Sequence, residues 1–346
     1  MKKYLITGGA GFFGSIMKKD LLDNGCFCVS IDLEPDDYEH ENFVAIQGDI
    51  RDVALLDEMF CKYDFDAVFH FAALLAHEKK ALDELWSSNV DGTKNVLDMC
   101  KKYDVGKIVF TSSNCLWGKN FDYKVTENEP PSPVEIYGES KLEGEKILLS
   151  GGDKVKSVIF RCPTIMDEGR LGLLAILYEF VDDDKRLWMV GNGNNTYQFI
   201  YAKDLVSACK LALDYDKSEI FNIGSDDVKS FNYIYQYVID HSDSNSKLGH
   251  LPAHLAKLAM KVSYHLGISP LGVYQYNMIS SSFVFDTTKI KTQLGWEPTL
   301  KNEEMLLKSY EYFHKNKEEI RNRKNVSAHN READMGLAIR ILKFFS

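Results

Sequence analysis

The sequence predicts an α/β protein, with a doubly wound parallel sheet followed by a smaller, discontinuous C-terminal lobe. Two observations lead to this fold class. Strand-like segments alternate with helix-like segments up to about residue 160, which is the rhythm of a parallel sheet joined by crossover helices. After Arg161 the rhythm changes, and residues 221–223 are predicted as a strand that returns to the main sheet.

The elements of the first part follow in a regular order. Strands are predicted at residues 3–7, 28–32, 44–47, 67–71, 107–112 and 157–161. Helices are predicted between them at residues 13–24, 53–61, 86–102 and 135–149. Prolines at 130, 131 and 133 exclude regular structure, so residues 127–133 are predicted to form a loop before the last of these helices.

The first strand runs directly into a glycine-rich turn. Gly9, Gly11 and Gly14 satisfy the pattern G-x-G-x-x-G, and Thr7 with Gly8 begins the tighter form T-G-x-x-G-x-x-G. Such a turn directs backbone N–H groups at a pyrophosphate, and glycine lets the phosphate and the helix approach the backbone closely. The turn follows a predicted strand, which is the context that the motif requires.

The second strand ends at Asp32, 18 residues after Gly14. A carboxylate at this place accepts hydrogen bonds from the ribose hydroxyls of an adenosine and repels a 2′-phosphate. The sequence therefore favours NAD over NADP as the dinucleotide.

Tyr137 and Lys141 stand four residues apart on a predicted helix, so both lie on one helical face. A nearby ammonium favours the phenolate form of a tyrosine. We therefore expect Lys141 to lower the pKa of Tyr137, which allows the phenol to give or take a proton near neutral pH.

Together these motifs resemble the extended short-chain dehydrogenase/reductase superfamily, often called NAD-dependent epimerase/dehydratase, over roughly residues 1–313. Further landmarks of the resemblance are residues 48–52, 70–73, 111–113, 161–163 and 294–298, with Asn89 and Asp204. The resemblance implies a Rossmann-type fold with NAD as cofactor and hydride transfer as the chemistry. It implies that Ser113 hydrogen-bonds the substrate oxygen, that Tyr137 moves the hydroxyl proton and that Lys141 holds the nicotinamide ribose.

The resemblance also implies which residues line the cofactor. Asp49 corresponds to the carboxylate that contacts adenine, and Asn89 begins the helix that supports the sheet. The full expected set is Gly8, Gly11, Phe12, Phe13, Gly14, Asp32, Asp49, Ile50, Phe71, Ala72, Ala73, Asn89, Ser112, Tyr137 and Lys141. His70, within an apolar run, is expected to be a buried structural histidine.

Cys115, two residues after Ser113, has two interpretations. In relatives that invert a carbon next to a keto group, a cysteine at this place acts as acid or base, and a thiol suits that task. The alternative is a small residue that fills space beside the cofactor, which we favour because no partner base is evident. Relatives that eliminate water carry an acid just after the catalytic hydroxyl. Asn114 and Cys115 stand there instead, which disfavours 4,6-dehydration.

The substrate side is less defined. Residues 195–199 and 277–283 contain no arginine, although many sugar-nucleotide relatives use arginines there to bind the substrate pyrophosphate. Arg170 is the basic residue expected near the cleft, and Asn114 and His77 are further expected substrate contacts. Residues 190–195, 199–204 and 251–271 resemble the 3β-hydroxysteroid dehydrogenase branch instead.

The sequence thus predicts an NAD-dependent enzyme, in the first place a nucleotide-sugar epimerase that works through a transient keto intermediate. The alternative is a 3β-hydroxysteroid-type or lipid-alcohol dehydrogenase. A third interpretation is a non-catalytic NAD-binding protein, and the intact set of Ser113, Tyr137 and Lys141 argues against it.

Three units are expected along the chain. Residues 1–161, joined by about 200–224, form the NAD-binding domain, and residues 162–199 with 225–313 form the substrate lobe. Residues 314–346 form a charged and then amphipathic tail. Its last part, 335–346, is interpreted either as a basic amphipathic helix on a membrane or partner, or as a helix packed on the body or frayed.

The composition of the chain excludes several other classes of protein. The net charge of −10 gives no basic surface for nucleic acid. We expect no signal peptide, because Met1, Lys2 and Lys3 lead directly into a strand, and no apolar run is long enough to span a membrane. Seven cysteines without a C-x-x-C pattern indicate neither a disulfide framework nor a zinc site. A cytoplasmic homodimer is expected.

Overall fold

A computed structural model describes residues 1–75, 82–265, 274, 278–322 and 343. Its centre is a seven-stranded, wholly parallel sheet with the order β10-β6-β5-β4-β1-β2-β3. These strands are β1 (Lys3–Thr7), β2 (Phe27–Asp32), β3 (Phe43–Gln47), β4 (Ala67–His70), β5 (Lys107–Ser113), β6 (Lys156–Cys162) and β10 (Glu219–Asn222). Successive strands are added on one side of β1, as β2 and β3, and then on its other side, as β4, β5 and β6. This reversal of strand order confirms the doubly wound fold.

Helices cover both faces of this sheet. They are α1 (Phe12–Asp23), α2 (Val53–Tyr63), α3 (Leu82–Trp86), α4 (Gly92–Lys102), α5 (Ile136–Leu149), α7 (Ala202–Asp214) and α10 (Thr288–Leu294). One face packs against α1, α7 and α10 through a cluster that includes Met17, Leu205 and Ile290. The other face packs against α2, α4 and α5 through a cluster that includes Phe60 and Leu97. Burial on both faces explains the nearly continuous apolar character of the strands.

The six predicted strands and the strand at 221–223 are all present, with shifts of one or two residues at their ends. The predicted helix 86–102 differs from the structure. A single π turn at Ser87–Asp91 joins α3 to α4. The wider turn includes the buried Asn89, whose side chain bonds other segments of the chain, as described below.

The described residues after β6, apart from α7, β10 and α10, form a smaller lobe with its own core. Two parallel strand pairs, β7 (Thr164–Met166) with β9 (Phe199–Tyr201) and β8 (Leu187–Val190) with β11 (Leu248–Leu251), lie in this lobe. Its helices are α6 (Leu173–Asp182), α8 (Phe231–Asp240), α9 (Ala253–His265) and α11 (Asn302–Asn322). A third hydrophobic cluster joins α6, α8 and α11.

The C-terminal part is described as far as α11, which continues across the predicted domain boundary at 313/314 and contains a kink at Asn316. The predicted amphipathic segment 335–346 lies outside the described residues except for Lys343. The Lys343 ammonium lies 2.6 Å from the Glu179 carboxylate and 2.7 Å from that of Asp183, both on or next to α6. Within the described ranges, no helix is long and apolar enough to cross a membrane.

Candidate active site

The glycine-rich turn joins β1 to α1 and leaves no room for side chains. A Cβ atom on Gly8, which has a φ of 76°, would lie 2.7 Å from the Ala72 nitrogen. A Cβ atom on Gly14 would lie 2.0 Å from the Gly8 carbonyl oxygen. Gly11 is the N-cap of α1 and has no side-chain cap, so the first N–H groups of the helix are free to bind an anion.

Asp32 ends β2 beside this turn. One carboxylate oxygen accepts from the Ala10 N–H at 3.0 Å, and the other accepts from the Glu34 N–H at 3.1 Å. Burial raises the pKa of Asp32, while these two N–H donors lower it. Because each carboxylate oxygen can accept more than one hydrogen bond, both retain capacity for ribose hydroxyls.

Asp49, predicted at the adenine site, is bound by Arg51. The Arg51 Nε atom lies 3.0 and 2.8 Å from the two carboxylate oxygens, and this contact lowers the pKa of Asp49. Arg51 also donates to Ser87 at 3.0 Å. Ile50 is buried against Gly92, the first residue of α4.

His70 is part of a buried chain of hydrogen bonds under the turn. Its Nδ1 atom lies 2.6 Å from Thr7 Oγ1, and its Nε2 atom lies 2.8 Å from Thr93 Oγ1. Thr93 donates its only hydroxyl proton to the Asn89 carbonyl, so it must accept from Nε2–H, and Thr7 then donates to Nδ1. Burial lowers the pKa of His70 to about 3. His70 is therefore a neutral structural residue, as predicted.

Asn89 connects three segments around the cofactor side. Its amide oxygen accepts from the Leu74 N–H at 2.7 Å, and its amide nitrogen donates to the Leu74 carbonyl and to Ser140 Oγ, each at 3.0 Å. Ser140 in turn donates to the Tyr137 carbonyl at 2.8 Å. Asn89 thus fixes the loop that contains Phe71, Ala72 and Ala73, and it also fixes the first turn of α5.

Ser113 and Tyr137 meet at the carboxyl end of β5. The Ser113 hydroxyl accepts from the Cys115 N–H at 3.1 Å, and it lies near enough to the Tyr137 phenol to lower the pKa of that phenol. α5 approaches this strand end very closely, because a Cβ on Gly138 would lie 2.2 Å from the Cys115 carbonyl oxygen. Residue 138 must therefore be glycine for α5 to pack this close to the end of β5.

Lys141 lies one helical turn below Tyr137 and is buried. Its ammonium donates to the Thr111 carbonyl at 2.9 Å and lies 4.5 Å from the centre of the Phe110 ring. Burial lowers the pKa of Lys141 to about 8. Lys141 can therefore release or share a proton close to neutral pH.

The structure contradicts the expected lowering of the Tyr137 pKa. Burial raises the pKa of Tyr137 well above its ordinary value, and Cys115, Cys162 and Glu135 add to this rise. The nearby Ser113 hydroxyl acts in the opposite direction. Spacing on a helix indicates which groups are neighbours, but the depth of burial decides the net shift.

Cys115 is also held as a neutral group. Burial raises the pKa of its thiol to about 12, although the nearby Ser113 and Tyr274 hydroxyls act against this rise. The side chain packs beside a cluster that contains Trp117 and Phe283. This environment agrees with the packing interpretation of Cys115 and disfavours a resting thiolate.

Arg170 lies in the loop between β7 and α6, at the border of the same cleft. Its N–H bonds the Asp167 carbonyl at 3.1 Å, and its own carbonyl accepts from Ser309 Oγ at 2.9 Å. The guanidinium carbon lies 5.5 Å from the centre of the Phe12 ring, in the first turn of α1. Burial lowers the pKa of Arg170 to about 10, and Tyr137 and Tyr178 raise it. His77, the other predicted basic contact, lies outside the described residues.

A family model described as the NAD dependent epimerase/dehydratase family matches residues 4–224. This chain belongs to that family. It is 33% identical over 321 residues to the uncharacterized protein y4nG of Sinorhizobium fredii, and this match covers 92% of this chain and 80% of that protein. It is 26% identical over 343 residues to the UDP-glucose 4-epimerase of Lactobacillus helveticus, with 90% and 97% covered.

The fold agrees with this assignment. The crystal structure of UDP-glucose 4-epimerase from Thermotoga maritima with UDP-glucose has a TM-score of 0.74 and 24% sequence identity, and the match covers 91% of this chain and 99% of that one. The Rossmann-type α/β fold and membership of the extended short-chain dehydrogenase/reductase superfamily are therefore confirmed.

NAD is the cofactor of this NAD dependent epimerase/dehydratase family member, and the site fits it. The turn between β1 and α1 is a cradle that side chains would fill, and Asp32 retains acceptor capacity beside it. At the end of β5 the buried Ser112 hydroxyl has no hydrogen-bond partner among the described residues, although buried hydroxyls normally have one. A bound molecule can supply that partner.

Three residues near the predicted site were missed by sequence reasoning. The phenol of Tyr197 is hydrogen-bonded to the Asn114 amide and lies 3.2 Å from the Tyr274 hydroxyl. Glu135 is the N-cap of α5. Burial raises the pKa of its carboxyl, and the nearby Tyr274 N–H acts against this rise. Tyr197 lies within residues 195–199, which sequence reasoning considered only for a pyrophosphate-binding arginine. Its phenol was therefore not recognised as part of the site.

Proposed function

We propose that this protein is a nucleotide-sugar epimerase that oxidises a sugar hydroxyl transiently and then reduces the keto intermediate on its other face. The observation that carries the proposal is the convergence of Ser113, Tyr137 and Lys141 at the end of β5, beside the cradle for NAD. The relatives named as UDP-glucose 4-epimerases support a nucleotide sugar as the substrate and epimerisation as the outcome.

In this proposal each side chain has one task. Bound NAD supplies a reversible hydride acceptor. Tyr137 removes the hydroxyl proton as the sugar carbon loses hydride, and it returns a proton when the ketone is reduced. Ser113 orients the reacting oxygen through its hydroxyl. Lys141, with a pKa near 8, holds the nicotinamide ribose and provides positive charge that favours phenolate once the cofactor is in place.

Inversion requires that the intermediate present either face to the same hydride. The groups on the far side of the site suit this requirement, because Asn114, Tyr197 and Tyr274 are neutral and can each donate and accept. They form an array that exchanges hydrogen bonds with sugar hydroxyls in more than one orientation. Cys115, kept as a thiol by burial, has a packing role in this proposal.

Binding discriminates this proposal from the lipid-alcohol dehydrogenase. NAD-loaded protein is titrated with UDP, GDP, CDP and dTDP, and in parallel with a sterol and a long-chain hydroxy acid. Saturable binding of one nucleoside diphosphate is expected. Binding of a lipid without any nucleotide would refute the proposal and favour a 3β-hydroxysteroid-type enzyme.

A second experiment tests the role of Tyr137. We expect Tyr137→Phe to reduce turnover of the bound nucleotide sugar at least about 100-fold, because the proton-transfer group is removed, while NAD affinity changes little. Tyr123→Phe is the matched control, since Tyr123 is 54% exposed and bonds only Glu129 among the described contacts. Equal loss of NAD binding and turnover in Tyr137→Phe would contradict the assignment.

The predicted homodimer and the predicted peripheral contact of the tail are also proposals. Light scattering of the purified chain measures its mass and so tests the homodimer. Liposome flotation of the chain with and without residues 335–346 tests membrane contact by the tail, and equal flotation of both chains would favour the packed or frayed tail.

A further inference from the structure

Arg170 has no anionic partner among the residues that the structure describes. No described carboxylate lies within ion-pairing distance of its guanidinium, whereas Lys308 and Lys317 in the same lobe each have one. The side chain is half-buried, and burial of an unpaired charge is costly. An isolated guanidinium at the edge of a ligand cleft therefore indicates that a bound molecule supplies the negative charge.

The loop holds this guanidinium in place. Two hydrogen bonds fix the Arg170 backbone, because its N–H donates to the Asp167 carbonyl within the loop and its carbonyl accepts from Ser309 Oγ on α11. The next residue, Leu171, is fully buried in the core of the substrate lobe. A side chain carried on so fixed a backbone is positioned before the ligand arrives, which limits the entropy that binding must remove.

A neighbouring feature indicates the same ligand chemistry. Phe12, whose ring the guanidinium approaches, belongs to the first turn of α1, where the N–H groups have no side-chain cap. A helix N-terminus and a guanidinium both favour phosphate oxygens.

We propose that Arg170 is a pyrophosphate receptor, which reaches from the substrate lobe to the N-terminal turn of α1. Two molecules can bring a pyrophosphate to this place, NAD and, if the proposed function holds, the nucleotide-sugar substrate. Contact with Phe12 favours the pyrophosphate of NAD. Arg170 then closes the cradle on the side that the glycine turn leaves open, and it links the position of the substrate lobe to occupancy by the cofactor.

The test compares ligands that contain a pyrophosphate with one that lacks it, and ADP and adenosine differ in that group alone. Full-length protein freed of nucleotide is titrated calorimetrically with NAD, ADP and adenosine, and NAD-loaded protein is titrated with UDP. Arg170→Met removes the charge while keeping an apolar stem against Phe12. Arg186→Met is the matched control, because the Arg186 guanidinium is exposed and stacks on Trp188 at 5.4 Å. Arg170→Gln provides a second neutral variant if Arg170→Met does not fold, as judged by circular dichroism.

We expect Arg170→Met to weaken NAD and ADP binding about 10- to 100-fold, as for loss of a charge-assisted hydrogen-bond pair, while adenosine binding stays unchanged. If Arg170→Met weakens UDP binding and leaves ADP binding unchanged, the result supports Arg170 as a receptor for the pyrophosphate of the substrate rather than that of NAD. Unchanged affinity for both ADP and UDP would overturn the proposal, as would equal weakening of adenosine. Absence of UDP binding by the unmutated protein would count against the proposed function and leave the ADP comparison intact.

Discussion

Replacement of Asp32 by asparagine tests how the protein selects its dinucleotide. In the structure each carboxylate oxygen already accepts one backbone N–H, from Ala10 and from Glu34. The asparagine amide has only one acceptor oxygen, so its NH₂ group must face either a backbone donor or the ribose. The substitution removes the charge from every hydrogen bond that the ribose hydroxyls make at this position.

The size of the effect follows from two contributions. Hydrogen bonds to charged groups contribute about 1.5–3 kcal/mol, so loss of the charge is expected to weaken NAD about 10- to 100-fold. Asp32→Asn is expected to strengthen the binding of NADP. A carboxylate about 5 Å from one phosphate charge contributes about 3 kcal/mol of repulsion at an effective dielectric constant of about 20, and this repulsion disappears.

The assay is a pair of titrations of the full chain with NAD and NADP, at one ionic strength. Asp37→Asn serves as the control, because Asp37 is exposed, lies on the same loop and changes the net charge equally. We expect the ratio of NAD to NADP affinity to fall at least about tenfold in Asp32→Asn alone. An unchanged ratio, or the same fall in Asp37→Asn, would refute the assignment of Asp32 to the ribose.

Two further predictions concern α5. Gly138→Ala places a Cβ 2.2 Å from the Cys115 carbonyl oxygen, so we expect activity to fall at least about tenfold as α5 shifts, and the free energy of unfolding to fall by about 1–3 kcal/mol. Gly106→Ala is the control and should change neither, because its Cβ meets no atom of the described residues within 4 Å. Equal effects of the two substitutions would contradict the close approach of α5. Lys141→Met should stabilise the cofactor-free protein at pH 7 by up to about 3 kcal/mol, because the buried ammonium has a folded-state pKa near 8 and an unfolded value near 10.5. The buried ammonium destabilises the unmutated protein fully below pH 8, and this destabilisation disappears as the pH rises to 10.5. Urea unfolding should therefore show a smaller difference in the free energy of unfolding between Lys141→Met and the unmutated protein at pH 10 than at pH 7. A difference that does not change with pH would contradict the shifted pKa of Lys141.

Much of the cofactor half could be predicted from the sequence, because its determinants are local. The turn after β1, the acid that ends β2 and the Tyr137–Lys141 spacing are each encoded within a few residues. The structural role of His70 could also be predicted, since an imidazole in an apolar strand must find buried partners, and Thr7 and Thr93 supply them.

The substrate half could be predicted less well, because its contacts join distant segments. Tyr197 meets Asn114 across 83 positions of sequence, and it meets Tyr274 across another 77. The predicted direction of the Tyr137 pKa shift was wrong for a related reason, because the burial of Tyr137 depends on how the second lobe covers α5. The π turn that interrupts the predicted helix 86–102 has no local signal such as proline.

One measurement tests the central claim most directly. NAD-loaded protein is incubated in D₂O with the sugar nucleotide of the base that binds, and the products are followed by proton NMR. We predict conversion of the sugar to its epimer with no deuterium at the inverted carbon, because the hydrogen removed from that carbon is the one returned. Inversion with deuterium at that carbon, or net oxidation without an epimer, would contradict the account.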